Sequence, residues 1–124
     1  MKNWLYLIPI VLVLIAGFTV ISKNSSQISA KATTYGNFQI VEVFAKNGYT
    51  PSITEAKAGV PTILKVVTKN TLDCSAALFI PSIKYQKYLP MTGETEIQLL
   101  PQKSGTTVTA SCSMGMFGCE IRFV

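Results

Sequence analysis

The stretch FQIVEVFA at residues 38–45 indicates the fold class, because β-branched and aromatic residues dominate it. The turn pair Asn47-Gly48 follows it, and PTILKVVT at residues 61–68 has the same kind of composition. Four further short runs of this kind, separated by turn residues, lie at 76–81, 94–100, 105–112 and 119–124. No stretch after Gly36 sustains the 3.6-residue period of a helix, so the pattern predicts an all-β sandwich or barrel.

Histidine is absent from all 124 residues, whereas three cysteines and four methionines are present. This absence excludes Ser-His-Asp and Cys-His catalysis, histidine-ligated zinc or haem, and imidazole pH switches. We therefore expect a binding protein and not an enzyme. The chain is 48% hydrophobic and 14% charged, with a net charge of +5, which makes it more apolar than an average soluble protein.

The apolar excess lies in residues 4–21, an uncharged run of 18 residues that reads WLYLIPIVLVLIAGFTVI. At about 1.5 Å per residue, a helix of this length matches the hydrocarbon core of a bilayer. We predict a single N-terminal transmembrane helix within residues 1–22, the alternative being a signal peptide that is removed. The small polar residues 23–36 predict a flexible tether, and residues 37–124 are expected to form the folded domain.

The charge of this expected domain is close to balanced. From residue 37 onward, seven lysines and Arg122 stand against six acidic residues, a net charge of +2. Such a balance gives no support for a nucleic-acid-binding surface. Because an odd number of thiols without a paired framework suits a reducing compartment, we expect the domain to lie on the cytoplasmic side of the cell membrane. We also expect a monomer.

Sulfur-containing side chains concentrate in the loop SCSMGMFG at residues 111–118. Cys112, Met114 and Met116 occupy alternate positions, so an extended backbone would point all three to one side. Gly115 permits the positive φ value that a tight loop can require. Both a cluster of soft metal ligands and an apolar cap on the core are consistent with this pattern.

The other two cysteines have different surroundings. Cys74 follows Asp73 in a polar turn, where it is either a ligand or a small buried apolar residue. In a Greek-key sandwich this turn can lie at the same end as the loop after Cys112, which makes the two thiols candidates for one site. Cys119 alternates with apolar residues in the last strand, so we assign it to the core.

Everything after the expected tether resembles the cupredoxins. The resemblance rests on VEVFAKNGYTPSITEAKAGVPTILKVVTKN at residues 41–70, on a turn ending at Cys74, and on a final strand–loop–strand that contains Cys112 and Met116. Blue-copper members place histidines at two ligand positions, where this chain has Cys74 and, near the second, Met114. The resemblance implies a cupredoxin-like Greek-key β-sandwich or barrel without a blue-copper electron-transfer centre.

A closer resemblance is to the membrane-anchored cupredoxin copper(I) chaperones of Gram-positive copper-resistance systems. These proteins combine an N-terminal span, a short tether and a histidine-free C-x-M-x-M loop, and they bind a binuclear Cu(I) cluster through two bridging cysteines, methionines and a glutamate. The resemblance implies these ligands here: Cys74, Cys112, Met114, Met116 and Glu42. The alternative for Glu42 is a solvent-facing position on an edge strand. The resemblance also implies a copper-exporting P-type ATPase as the partner.

The ligand chemistry favours the same metal independently. Thiolate and thioether groups are soft ligands that select Cu(I), whereas zinc prefers four nitrogen or sulfur ligands. We therefore expect a protein that sequesters Cu(I) and delivers it to the exporter. Two other functions stay open, namely an extracytoplasmic copper scavenger and a thiol redox protein in which Cys74 and Cys112 form a reversible disulfide.

Overall fold

The computed structural model describes residues 29–124, and within this range it contains eleven strands and two single-turn 3₁₀ helices. The strands are β1 (Ser29–Lys31), β2 (Thr33–Tyr35), β3 (Phe38–Ala45), β4 (Tyr49–Thr50), β5 (Ile53–Ala56), β6 (Thr62–Thr68), β7 (Ala77–Ile80), β8 (Tyr85–Tyr88), β9 (Gly93–Leu99), β10 (Thr107–Cys112) and β11 (Gly118–Phe123). The 3₁₀ turns, Cys74–Ala76 and Pro81–Ile83, lie immediately before and after β7.

The strands form two sheets. One has the order β1-β5-β11-β10-β7-β8, and the other has the order β2-β3-β6-β9 with β4 also paired to β3. Buried and less buried residues alternate along the strands, as in β6, where every second residue from Thr62 to Thr68 is buried. Buried apolar residues from both sheets form one hydrophobic cluster, so the two sheets pack face to face as a sandwich.

The six strands predicted from composition are confirmed to within two residues at each end. The prediction missed β4, β5 and β8 because segments of two to four residues are too short to show a clear alternating pattern. The segment 82–90 contains the end of the 3₁₀ turn Pro81–Ile83 and then the largely exposed strand β8. These short strands lie in place because neighbouring strands supply their hydrogen-bond partners.

The predicted fold class, a Greek-key sandwich preceded by a transmembrane helix, requires correction. The described residues form an all-β sandwich, and among residues 29–124 no helix is both long enough and apolar enough to cross a membrane. The interval 1–22, to which the helix was assigned, lies outside the described residues. An apolar run by itself indicates hydrophobicity and carries no cap or period that specifies a helix, so the helical part of the prediction has no support.

The predicted tether over residues 23–36 also changes at its C-terminal end. Residues 29–35 contain β1, which pairs in parallel with β5, and β2, which pairs antiparallel with β3. All six strand residues are exposed, which explains why no hydrophobic pattern marked them. Backbone ladder hydrogen bonds to two established strands are sufficient to order such a segment, so the described domain extends N-terminal to residue 37.

Candidate metal centre

The pairing of β7 with β10 brings two cysteines together. Cys112 ends β10, and Cys74 begins the 3₁₀ turn that precedes β7. Because the two strands are antiparallel, with Cys112 opposite Leu78, the end of β10 lies beside the start of β7. The Sγ atoms of Cys74 and Cys112 are 3.2 Å apart, the Cys74 thiol donating to Cys112. Both cysteines are free thiols.

Asp73 holds the turn that carries Cys74. Its carboxylate caps the 3₁₀ turn by accepting a hydrogen bond of 3.1 Å from the backbone N–H of Ser75, and it also accepts from the Ser75 hydroxyl. The hydroxyl bond is the main reason that the pKa of Asp73 is lowered to about 2. The carboxylate is therefore ionised at neutral pH and fixes the start of the turn.

Two further hydrogen bonds join this turn to the opposite sheet. The buried Tyr49 hydroxyl donates to the carbonyl of Ser75 at 2.9 Å, and the buried Thr71 hydroxyl donates to the carbonyl of Ala45 at 2.5 Å. Burial, followed by the nearby cysteines and Asp73, raises the pKa of Tyr49. Its hydroxyl thus stays protonated and remains a donor to the turn.

The loop after Cys112 turns back on itself and is not extended. The backbone N–H of Gly115 donates to the Cys112 carbonyl at 2.9 Å, with Gly115 at a φ of 73°. The backbone is therefore not extended as it would need to be to point all three sulfur atoms to one side. Cys112 is 1% exposed, whereas Met114 is 75% and Met116 is 70% exposed. This exposure excludes the interpretation that the methionines cap the core.

Phe117 is the residue of this loop that packs on the core, whereas the apolar-cap interpretation gave that role to the whole loop. It is partly buried against the core cluster, and its carbonyl accepts a hydrogen bond of 3.0 Å from the Cys112 N–H. A Cβ at Gly48 would lie 3.4 Å from the Phe117 ring, and Gly48 has a φ of 116°. Glycine therefore suits both the turn after β3 and the close approach of the loop.

The two thiols differ in acidity. Burial raises the pKa of Cys112, but backbone hydrogen bonds from Phe117, Met116 and Met114, together with the bond from Cys74, outweigh burial and lower that pKa. The pKa of Cys74 is raised, chiefly by its hydrogen bond to Cys112 and then by burial. Cys112 is therefore the thiol that ionises first, and a thiolate is the form that binds soft metals.

Cys119 lies in the core, as predicted. It is buried within the hydrophobic cluster, and burial raises its pKa to about 11. The thiol is therefore neutral at physiological pH, when it behaves as a small apolar side chain.

Glu42 is not brought together with the sulfur atoms. It is exposed on β3 between the buried residues Val41 and Val43, so its carboxylate lies on the outer face of its sheet. Its neighbour across the ladder is Lys65 of β6. Among residues 29–124 there is no group of three or more histidine, cysteine, aspartate and glutamate side chains placed to hold a metal.

Sequence reasoning missed two residues that position this centre, Tyr49 and Ser75. The spacing of Asp73 and Ser75 does match an Asp cap followed by a turn, which is a recognisable local signal. Tyr49 has no local signal, because its hydrogen-bond partner lies 26 residues away in the sequence.

The fold is shared with solved copper-binding domains, although no protein-family model and no curated protein matches the sequence. One is the metal-binding domain of the Cu(I)-exporting P-type ATPase CopA of Streptococcus pneumoniae D39, solved with Cu(I). It is 20% identical with a TM-score of 0.71, over 79% of this chain and 97% of that domain. Another is a copper-binding protein solved by NMR in its apo form, 23% identical with a TM-score of 0.68, over 76% of this chain and 95% of the other.

The turn that carries Cys74 should become less stable when its hydrogen bond with Tyr49 is removed. We expect Tyr49→Phe to lower the free energy of unfolding by about 1 to 2 kcal/mol, because the Ser75 carbonyl loses its buried donor. Urea denaturation of both proteins measures the difference. Tyr88→Phe is the matched control, since Tyr88 is exposed, and it should change stability by less than about 0.5 kcal/mol. Equal effects of the two substitutions would contradict the assigned role of Tyr49.

Proposed function

We propose that this protein binds Cu(I) through Cys74 and Cys112, sequesters it, and delivers it to a copper-exporting P-type ATPase. The observation that carries the proposal is the 3.2 Å separation of the two sulfur atoms in a domain that contains no histidine. On this proposal the protein is a carrier and not an enzyme.

The two thiols suit a soft ion of low coordination number. Cu(I) is a d¹⁰ ion without ligand-field demands, and it accepts two or three sulfur ligands. Zinc in structural sites takes four nitrogen or sulfur ligands, which two thiolates without histidine do not provide. The lowered pKa of Cys112 supports the same assignment, because metal binding must displace the thiol proton.

The exposed methionines supply a second position for Cu(I), which binds the ion more weakly. Met114 and Met116 lie in the loop that follows Cys112, with their side chains open to solvent. Thioethers are soft but neutral ligands, so an ion that depends on them is held less tightly than an ion between two thiolates. We propose an inner position at the thiol pair and an outer position at the methionines, the arrangement of a binuclear Cu(I) cluster. Glu42 is left out of this ligand set because of its place on the outer face.

The choice of partner is supported by the neighbour with the same fold. The CopA domain belongs to a Cu(I)-exporting ATPase, and a donor and an acceptor that both use sulfur can exchange the ion by replacing one sulfur ligand with another. Such a transfer never releases Cu(I) to water. Because an exporter takes its ion from the cytoplasm, we place the domain on the cytoplasmic side.

Removal of one thiolate should abolish tight binding. We expect Cys112→Ser to weaken Cu(I) binding by at least about a hundredfold, because one soft anionic ligand is replaced by a hydroxyl. Competition with a Cu(I) chelator under anaerobic conditions measures the affinity of the full chain. Cys119→Ser is the matched control, since that thiol lies in the core, and it should retain the wild-type affinity if the domain stays folded. Tight binding by Cys112→Ser would contradict the thiolate assignment.

The methionines should affect the outer ion alone. We expect Met114→Ile combined with Met116→Ile to weaken binding of the second Cu(I) and to leave the first unchanged, because only the outer position depends on thioethers. The same competition, carried to two equivalents of Cu(I), separates the two events. Met91→Ile replaces another exposed methionine and should change neither. An unaltered second affinity in the double variant would count against the outer position.

A thiol redox function is the second candidate, and the same sulfur separation favours it. The Cys112 thiolate attacks oxidised glutathione, which forms a mixed disulfide and releases one glutathione thiolate. Cys74 then attacks the Cys112 sulfur, which completes the protein disulfide and releases the second glutathione. The sulfur atoms need to move from 3.2 Å to a bonded distance of about 2.05 Å.

Mass spectrometry separates the two candidates. If metal binding is the function, we expect Cu(I) loading to protect both thiols, so that oxidised glutathione lowers the mass by two hydrogens only in the apo protein. Cys119→Ser should behave as the wild type, whereas Cys74→Ser should stop at the mixed disulfide. Disulfide formation in a protein that takes up no Cu(I) would favour the redox function instead.

A further inference from the structure

The hairpin that joins β3 to β4 contacts both of the segments that carry the thiols. Its two strands belong to the sheet whose described strands contain no cysteine, so these contacts cross the sandwich. The turn of the hairpin is tight, with Asn47 at a φ of 50° and Gly48 at a φ of 116°, and the Lys46 N–H donates to the Gly48 carbonyl at 2.9 Å. We call residues 45–49 the supporting hairpin.

Three hydrogen bonds join the supporting hairpin to the turn that carries Cys74. Each bond connects a different residue of the hairpin to a different residue of the turn: the Ala45 carbonyl accepts from the Thr71 hydroxyl at 2.5 Å, the Asn47 N–H donates to the Asp73 carboxylate, and the Tyr49 hydroxyl donates to the Ser75 carbonyl at 2.9 Å. The partners are spaced two residues apart in both segments, so the two segments run side by side. Because the Thr71 and Tyr49 bonds are buried, losing either one leaves a buried polar group without its partner.

The same hairpin contacts the loop that follows Cys112, and it does so through Gly48. A Cβ at Gly48 would lie 3.4, 3.7 and 3.9 Å from three atoms of the Phe117 ring, so the ring lies directly against the backbone of the glycine. The carbonyl of Phe117 in turn accepts a hydrogen bond of 3.0 Å from the Cys112 N–H. A displacement of Phe117 is therefore transmitted to Cys112.

We propose that the supporting hairpin fixes the distance between the sulfur atoms of Cys74 and Cys112. Thr71 is the positioning residue on the side of Cys74, and Gly48 is the positioning residue on the side of Cys112. The consequence for Cu(I) rests on the carrier function proposed above, because a ligand pair that is already ordered loses less conformational freedom when the ion binds. The spacing of the thiols is measurable without a metal.

The pairing of β7 with β10 brings the two segments together but does not fix Cys74. The registered pairs of this ladder are Ser111 with Phe79 and Cys112 with Leu78, so Cys112 is held by the sheet. Cys74 lies in the 3₁₀ turn before β7 begins, outside the ladder. The hydrogen bonds from the supporting hairpin are what join this turn to the rest of the sandwich, so the sulfur separation of 3.2 Å depends on them.

The equilibrium of the thiol pair with glutathione tests the proposal without a metal. One oxidised glutathione and the protein dithiol give the protein disulfide and two reduced glutathione molecules, so the equilibrium constant is the effective concentration of one thiol at the other. The full chain is equilibrated anaerobically in glutathione buffers, the remaining thiols are alkylated, and mass spectrometry gives the oxidised fraction. Circular dichroism checks that each variant is folded before the constants are compared.

Substitution of Gly48 tests the side of Cys112. We expect Gly48→Val to lower the equilibrium constant at least about tenfold, which is about 30 mV, because its two methyl groups need space that the Phe117 ring occupies. Gly105→Val is the matched control: Gly105 also has a positive φ, 88°, but a Cβ there would meet no atom within 4 Å. It should change the constant less than about twofold. In a Phe117→Ala background, Gly48→Val should have no larger effect than the control, because the ring is absent.

Substitution of Thr71 tests the side of Cys74, and it does so independently of whether Gly48→Val folds. We expect Thr71→Val to lower the equilibrium constant at least about threefold, because valine has the shape of threonine but donates no hydrogen bond to Ala45. Thr71→Ser keeps the hydroxyl and should restore the wild-type constant. Thr62→Val is the matched control, since the Thr62 hydroxyl is also buried but donates to the Val60 carbonyl at the opposite end of the sandwich.

The outcomes separate this proposal from the carrier function. Equal constants for Gly48→Val and Gly105→Val in folded proteins, or for Thr71→Val and Thr62→Val, would overturn the positioning role and leave Cu(I) binding intact. Chelator competition on the same variants should show that Gly48→Val and Thr71→Val weaken the inner Cu(I) at least about threefold. If the glutathione constants shift as expected but the wild type takes up no Cu(I), the carrier function fails and the positioning role stands.

Discussion

The antiparallel pairing of β10 with β7 is the constraint on which the centre depends. It places the last residue of one strand beside the turn that precedes the other, and so brings two thiols 38 residues apart in sequence to a sulfur separation of 3.2 Å. The other features of the centre fix the position of one thiol or change the pKa of the other. The Asp73 cap and the Tyr49 hydroxyl fix the turn of Cys74, while the backbone bonds from the methionine loop act on Cys112. A change in strand register would separate the thiols entirely.

The loop after Cys112 has two opposite roles. Its backbone N–H groups face inward and favour the thiolate of a buried cysteine, whereas its two thioethers face outward. A tight turn allows both, because reversing the chain within four residues puts backbone donors on one side and side chains on the other. Gly115, with its φ of 73°, is the residue that lets the chain reverse there. An extended segment would have aligned the three sulfur atoms and would have offered no such environment to Cys112.

Composition was a sound guide to the long strands, because they depend on local residue types. The strand Phe38–Ala45 and the core position of Cys119 followed from short patterns. The exposed strands β1 and β2 did not, since their order comes from partners far along the chain. The hydrogen bond from Tyr49 to Ser75 could not be predicted for the same reason. The helix assigned to residues 1–22 was inferred from the length and apolarity of one run, which do not specify a backbone conformation.

Burial of the tighter ligand and exposure of the weaker ones have opposite consequences for a carrier. In the proposed carrier, the buried Cys112 and the half-buried Cys74 would hold Cu(I) tightly, and they would also slow its release until a new ligand arrives. The methionines would ease this conflict, because Met114 and Met116 follow Cys112 in the chain and hold their soft thioethers open to solvent. In such a carrier an acceptor would take the ion in steps, from thiolate to thioether and from thioether to its own thiolate, and it would have to stay beside the loop until the last step.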